Sequence, residues 1–154
     1  MSLPERLLDE QNIEFPVYRL QEQGTIPYKI VDDLLFINNT PPVDESGELK
    51  YRGKVGAEYT VEEGYEAARL AGMHVLRLIK DALGSLDRVD YLLKSMVMVS
   101  APAGFSQIYK VADGFSDLMT EAFGERGLHT RNAIGASTLN DNAPLICDLI
   151  VKIK

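Results

Sequence analysis

The sequence is short of cysteine, of histidine, of positive charge and of long apolar runs, and each shortage closes a class of function. Cys147 is the single cysteine in 154 residues. No disulfide can form within the chain, and a reducing cytoplasm is the natural setting. The two histidines, His74 and His129, lie far apart and with one cysteine give no metal-ligand spacing, so neither a metal nor another cofactor is expected. No stretch reaches the roughly 18 uninterrupted apolar residues of a membrane span. The opening MSLPERLLDEQ carries carboxylates where a secretory leader needs a basic region and an apolar run. A formal net charge of −7 leaves no broad basic surface. Nucleic-acid affinity leans on clustered Lys and Arg, so generic binding of that kind is disfavoured, with a local patch around Arg126, Arg131 and Lys152 as its remaining candidate. A phosphate-cradling glycine loop, a nucleophile elbow and a dinucleotide fingerprint are also missing.

What is present fits one ordinary soluble domain spanning residues 1–154, with 45% apolar and 25% charged residues. The first residues read as a short helix, PERLLDEQN, then an extended piece, FPVYRL, and a turn at Gly24. IPYKIVDDLLFINN reads as two short strands around an Asp32-Asp33 turn. The following TPPVDESGELKYRGKVG has the composition of a loop. TVEE at Thr60 is a capping box, in which Thr60 and Glu63 each satisfy the other's amide, and a helix should start there. Its inward stripe is Ala68, Ala71, Gly72, Val75, Leu78, Ile79 and Ala82, with Gly84 as the left-handed stop. Tyr91 to Ser100 is a strand with apolar residues on both parities, as in a strand covered on two sides. A second helix, about Ser106 to Phe123, carries Ile108, Val111, Ala112, Phe115, Leu118, Met119 and Ala122 at helical spacing and ends at Gly124. Two further strands, roughly Thr130 to Thr138 and Leu145 to Ile153, flank the turn-rich NDNAP.

The order strand, strand, helix, strand, helix, strand, strand predicts a mixed sheet with both long helices on one face. The other face then carries Met96 and Met98 or their alternates, with Ile134 and Leu149, more apolar surface than a monomer normally leaves open. Packing of sheets from several subunits covers it; the alternative cover is the amino-terminal segment.

Three stretches, taken together, carry a resemblance: KVGAEYTVEEGYEAARLAGMHVLRLIKDALGSLDRVDYLLKSMVMV, VADGFSDLMTEAFGERGLHTRNAIGASTL and APLICDLIVKI. In order and spacing they resemble the Rid family, also called YjgF or endoribonuclease L-PSP, and within it a subgroup with a Gly-x-His-x-Arg pattern. The resemblance covers about residues 17 to 154 and leaves residues 1–16 as an extension. It implies an α+β, chorismate-mutase-like ββαβαββ fold and a homotrimer with an inner barrel of sheets and clefts between subunits. The implied activity is hydrolysis of 2-iminobutanoate, 2-iminopropanoate and their enamines to 2-keto acids and ammonia. The family's substrate-carboxylate arginine falls at Arg131. A planar guanidinium offers a carboxylate two parallel donors, which both anchors and orients it. The other reading of Arg131 is an ion pair with an Asp or Glu of a neighbouring chain.

Two departures bear on activity. The glutamate that positions water in the family's deaminases falls, by counting from Arg131, at Ile146, which cannot orient a water. Asp148 lies two residues on and takes that place only if the register shifts; its other reading is structural. The family's small Ser-Gly pair is replaced by Asn38 and Asn39, which keep hydrogen-bonding capacity at the cleft rim but change its shape. His129 is a candidate proton donor or a loop residue bound to backbone, and His74 reads as a partly exposed helix residue. Phe105 and Tyr109 are candidates to line the cleft or to pack in the core, and Cys147 reads as a small buried apolar residue, with no local base to make it a nucleophile. The partners implied are a small carboxylate or imine metabolite and further copies of the chain, without membrane or nucleic acid. A non-catalytic ligand-binding or regulatory trimer is the rival to the deaminase.

Overall fold

A computed structural model describes residues 2–10 and 24–154. Helix α1 spans Leu3–Glu10, strands β1 and β2 span Tyr28–Val31 and Leu34–Thr40, and helix α2 spans Val61–Leu83. Strand β3 (Val89–Ser100), helix α3 (Ile108–Phe123), strand β4 (Thr130–Ala136) and strand β5 (Leu145–Ile153) complete the chain. The expected extended piece FPVYRL lies outside the described residues.

Among the described residues the five strands form one mixed sheet in the order β1-β2-β5-β3-β4. Only the β3 and β4 pairing is parallel. Parallel neighbours need a long crossover, and α3 supplies it. The β1-β2 hairpin turns on Asp32, whose φ of 53° lies in the left-handed region that aspartate tolerates better than most residues.

Helix α2 begins with the full capping box, the Thr60 side chain accepting from the Glu63 amide and Glu63 from the Thr60 amide, and ends on left-handed Gly84. Its expected stripe is buried except for Ala82, which is half-buried. Helix α3 begins two residues later than the spacing predicts, with Gln107 at its N-cap making no side-chain hydrogen bond. The two helices pack side by side over one sheet face through small residues: a Cβ on Gly114 would meet the Tyr65 carbonyl oxygen at 2.0 Å. Leu35, Val97, Val99, Leu145, Cys147, Leu149 and Val151 close the core from the sheet.

Two expectations are corrected. Leu149 is fully buried against the helices. It shares parity with Leu145 and Cys147, and the open face of β5 is made by Ile146, Asp148, Ile150 and Lys152. His74 is 4% exposed, because the loop after β2 lies across α2 and its Val43 carbonyl meets the imidazole Nε2 at 2.8 Å. Burial lowers the His74 pKa in spite of that contact.

The open face carries Phe36, Met96, Met98, Ile134, Ile146 and Ile150, all exposed or half-buried. Helix α1 does not cover it. Leu7 and Leu8 join the helix-side core, and Glu5 takes the Lys80 ammonium and, at 2.9 Å, the Leu86 amide. No described helix is long and apolar enough to cross a membrane.

Candidate functional site

Arg131 lies on β4, which among the described residues has no neighbour on its outer side. It pairs in register with Ser95 of β3. Its side chain projects to the helix face, as does that of Ala133; Gly135 shares this parity, and a Cβ built on it would touch Ile108 of α3 at 3.4 Å. There it meets the first half of α3. Nη1 donates to Asp113 Oδ1 at 3.0 Å and to Ser116 Oγ at 3.1 Å, and Nη2 reaches the Tyr109 carbonyl at 3.4 Å. Nε makes no hydrogen bond among the described residues, so the guanidinium keeps a donor for a ligand oxygen beyond its Nη1 clamp and the long Nη2 contact to Tyr109. The Arg131 side chain is 20% exposed and that of Asp113 44%.

His129 stands at the back of this cluster. Its Nδ1 is 2.7 Å from the Gly127 carbonyl oxygen, which only accepts, so Nδ1 carries the proton. Nε2 then accepts from the Ser116 hydroxyl at 3.1 Å, while Ser116 Oγ accepts from Arg131. The chain of contacts runs Asp113, Arg131, Ser116, His129, Gly127, with one donor and one acceptor at each contact. Burial lowers the pKa of His129, outweighing the Gly127 hydrogen bond, and the Arg131 charge lowers it further. The imidazole is also set edge-on to Phe115, with centroids 5.9 Å apart. His129 is thereby a neutral acceptor engaged at both nitrogens.

The other expected site residues fall in two groups. Tyr109 is close, its carbonyl on Arg131 and the residue 52% exposed. Phe105 packs on Gly56, where a Cβ would lie 2.5 Å from the ring, and against the core. Asn38 and Asn39 are on β2, three strand spacings from β4, or about 14 Å. Asn38 Nδ2 donates to the Ile26 carbonyl at 3.1 Å and its Oδ1 accepts from the Asn39 amide at 2.8 Å. Within one chain this pair does not reach Arg131.

Ile146 and Asp148 both face away from Arg131, on the open side of the sheet, where Ile146 pairs with Met98 and Asp148 with Met96. Asp148 Oδ1 accepts from the Met96 amide at 2.6 Å. Burial raises its pKa, against the lowering by that amide and by Lys94. Cys147 is buried, and desolvation drives its thiol far above the ordinary range. Among the described residues no group of three or more His, Cys, Asp or Glu is placed to hold a metal ion.

Asp113 and Ser116 do not stand out in the sequence. They sit three apart on α3, at the border of its buried stripe, and that spacing is their only local signal. On their far side is a groove of about 380 Å³ lined by Val61, Glu62, Tyr65, Glu66, Lys110, Asp113 and Asp117. The Tyr65 hydroxyl donates to Asp117 at 2.7 Å, and that hydrogen bond, then desolvation, holds the phenol pKa at about 12.

A family profile described as "YjgF/chorismate_mutase-like, putative endoribonuclease" matches residues 7–152. Protein TCP17 of Trypanosoma cruzi is 32% identical over 147 residues, covering 95% of this chain and 91% of that protein. The crystal structure of a "putative endoribonuclease" from Shewanella oneidensis superposes with a TM-score of 0.90 at 31% identity, covering 99% of this chain and all of that one. A protein of unknown function from Agrobacterium tumefaciens gives 0.87 at 30% identity, covering 98% of this chain and 92% of that one.

Proposed function

The chain belongs to the YjgF/chorismate mutase-like family, and from that premise we propose that it is a cytoplasmic homotrimer that binds a small carboxylate metabolite at Arg131 and deaminates 2-imino acids and their enamines. The observation that carries the reading is the guanidinium clamped to α3 through Nη1, with Nε left without a partner among the described residues. A carboxylate held there leaves the imine carbon in the cleft that a neighbouring subunit closes in the proposed trimer. Asn38 and Asn39 reach such a ligand only from that neighbour. Water then adds to the imine carbon, and ammonia leaves from the tetrahedral adduct to give the 2-keto acid. His129 serves here as a positioning group for Ser116 and Arg131, since its one free lone pair is already taken. The endoribonuclease activity in the family's description is less supported. The net charge is −7, and Arg126 and Lys152 are engaged by the Val89 carbonyl and by Asp33.

A coupled assay of 2-aminoacrylate deamination on the purified protein and its Arg131→Ala variant tests the proposal. Acceleration over buffer in the native protein and its loss in the variant are expected. A well-folded native protein that gives no acceleration overturns the catalytic half. The second reading, a non-catalytic ligand-binding trimer, is favoured by one observation: Ile146 offers no carboxylate, and Asp148 is tied to the Met96 amide.

A further inference from the structure

We infer that Asp148 links self-assembly to pH: the proposed trimer takes up protons at this residue as it forms, and so tightens as the pH falls from neutral. The inference rests on the reading of the chain as a homotrimer built on the open sheet face and adds a regulation to it.

Asp148 is an acid set in the middle of that face. Ile146 and Ile150 flank it on β5, and Met96 stands opposite on β3, with Asn132 of β4 one strand further. On its other side, Phe36 of β2 pairs with Ile150, and the bulge at Asn38 and Asn39 falls alongside Asp148. Asn38 spends its side chain on the Ile26 carbonyl and the Asn39 amide. The cations of this face are Lys94 of β3, opposite Ile150, and Lys152 at the end of β5, which Asp33 holds at 2.6 Å. Neither forms an ion pair with Asp148 among the described residues. Its Oδ1 accepts from the Met96 amide, and Oδ2 makes no hydrogen bond among the described residues. The carboxylate is thus half-buried among apolar side chains, with one oxygen still solvated by water. Both histidines lie away from it, His74 under the Val43 loop on α2 and His129 against Ser116 of α3.

Helix α1 leaves the face open, and a second copy of the chain is the cover that the trimer supplies. An identical copy brings the same apolar residues, the same acid and the same two lysines. Covering therefore strips water from the free oxygen, and a single amide hydrogen bond does not replace the hydration of a carboxylate. Protonation is the remaining way to neutralise it. Burial already raises the Asp148 pKa in the single chain, over the lowering by the Met96 amide and by Lys94, and covering adds to the same effect. The sign follows. With the covered pKa above the free one, assembly binds protons, and the penalty of the ionised form disappears as the pH falls toward the free-chain value. A one-unit difference between the two states is worth about tenfold in association for each chain.

Sedimentation velocity over a dilution series, at pH 7.5 and pH 5.5, on the native chain and on Asp148→Asn tests this. Asparagine keeps an acceptor for the Met96 amide and removes the charge. Subunit exchange between labelled and unlabelled chains reports the same quantity if the complex is too tight to dilute apart. The native trimer should tighten by about tenfold or more on acidification, and exchange more slowly. Asp148→Asn should associate more tightly than the native chain at pH 7.5 and change less than about threefold between the two pH values. The net charge of −7 also relaxes on acidification. That contribution is common to both proteins and is screened by salt, whereas the difference between them should persist at high ionic strength. If both proteins assemble with the same pH dependence, the linkage through Asp148 is overturned and the trimer stands. If association weakens on acidification, or if Asp148→Asn weakens it at pH 7.5, Asp148 has a cationic partner across the interface and the inference is wrong. A folded native chain that stays monomeric at both pH values overturns the trimer and this inference with it.

Discussion

Arg131 is held by three groups of one helix, Tyr109, Asp113 and Ser116, and His129 completes the cluster from the loop before β4. The arginine and the histidine are legible in the sequence, because a Gly-x-His-x-Arg pattern at a strand entrance is distinctive. The clamp is not, since Asp113 and Ser116 are ordinary helix residues until the crossover lays α3 beside β4. An intrachain partner for Arg131 was likewise hidden. The cluster makes a titration prediction. His129 is kept neutral by burial and by the Arg131 charge, so its midpoint should lie below 6.5. A depressed histidine stabilises the fold fully above the ordinary value, and that contribution falls away as the pH drops below it. In Arg131→Ala the NMR midpoint of His129 should move upward; an unchanged midpoint would mean that the two residues do not sense each other.

At the scale of elements, the helices and strands follow from caps and periodicity, while the faces of β5 needed the sheet. A strand with apolar residues at nearly every position shows no preferred side, and Leu149 falls to the helix side only through its pairing with Ser95. His74 was equally hidden, because burial by a loop leaves no periodic trace. The α2 and α3 contact runs through glycine, and Gly114→Ala drives a methyl into the Tyr65 carbonyl. A loss of about 1–3 kcal/mol in chemical denaturation is expected. A change under half a kcal/mol would show that the helices part at little cost. Helix α1 is anchored by Glu5. Desolvation raises its pKa, but Lys80, the Leu86 amide and Ser85 together lower it below 4.5. A depressed carboxyl stabilises the fold above its ordinary value and loses that contribution as the pH falls. Glu5→Gln should therefore flatten the decline of Tm below about pH 4.5, and an unaltered slope would place the acid sensitivity elsewhere.

For the whole molecule, the mixed sheet with its helices on one side was legible from element order, and the uncovered face follows from it. Phe36, Met96, Met98, Ile134, Ile146 and Ile150 form one apolar surface around Asp148. Covering it in a trimer would bury that surface and close a cleft beside Arg131. Met98 lies between Ile134 and Ile146. In the proposed trimer, Met98→Lys should reduce the mass seen by light scattering from three chains to one, with the helical circular dichroism retained; a trimer that survives the charge would exclude this face as the interface. The central claim is that Arg131 anchors a small carboxylate whether or not chemistry follows. Calorimetric titration of pyruvate, the keto-acid product of 2-aminoacrylate hydrolysis, into native protein and Arg131→Lys tests it most directly. Lysine keeps the charge and loses the fork, so affinity should fall roughly tenfold to a hundredfold, in line with about 1.5–3 kcal/mol for hydrogen bonds to charged groups. Equal affinity in the two proteins would contradict the account.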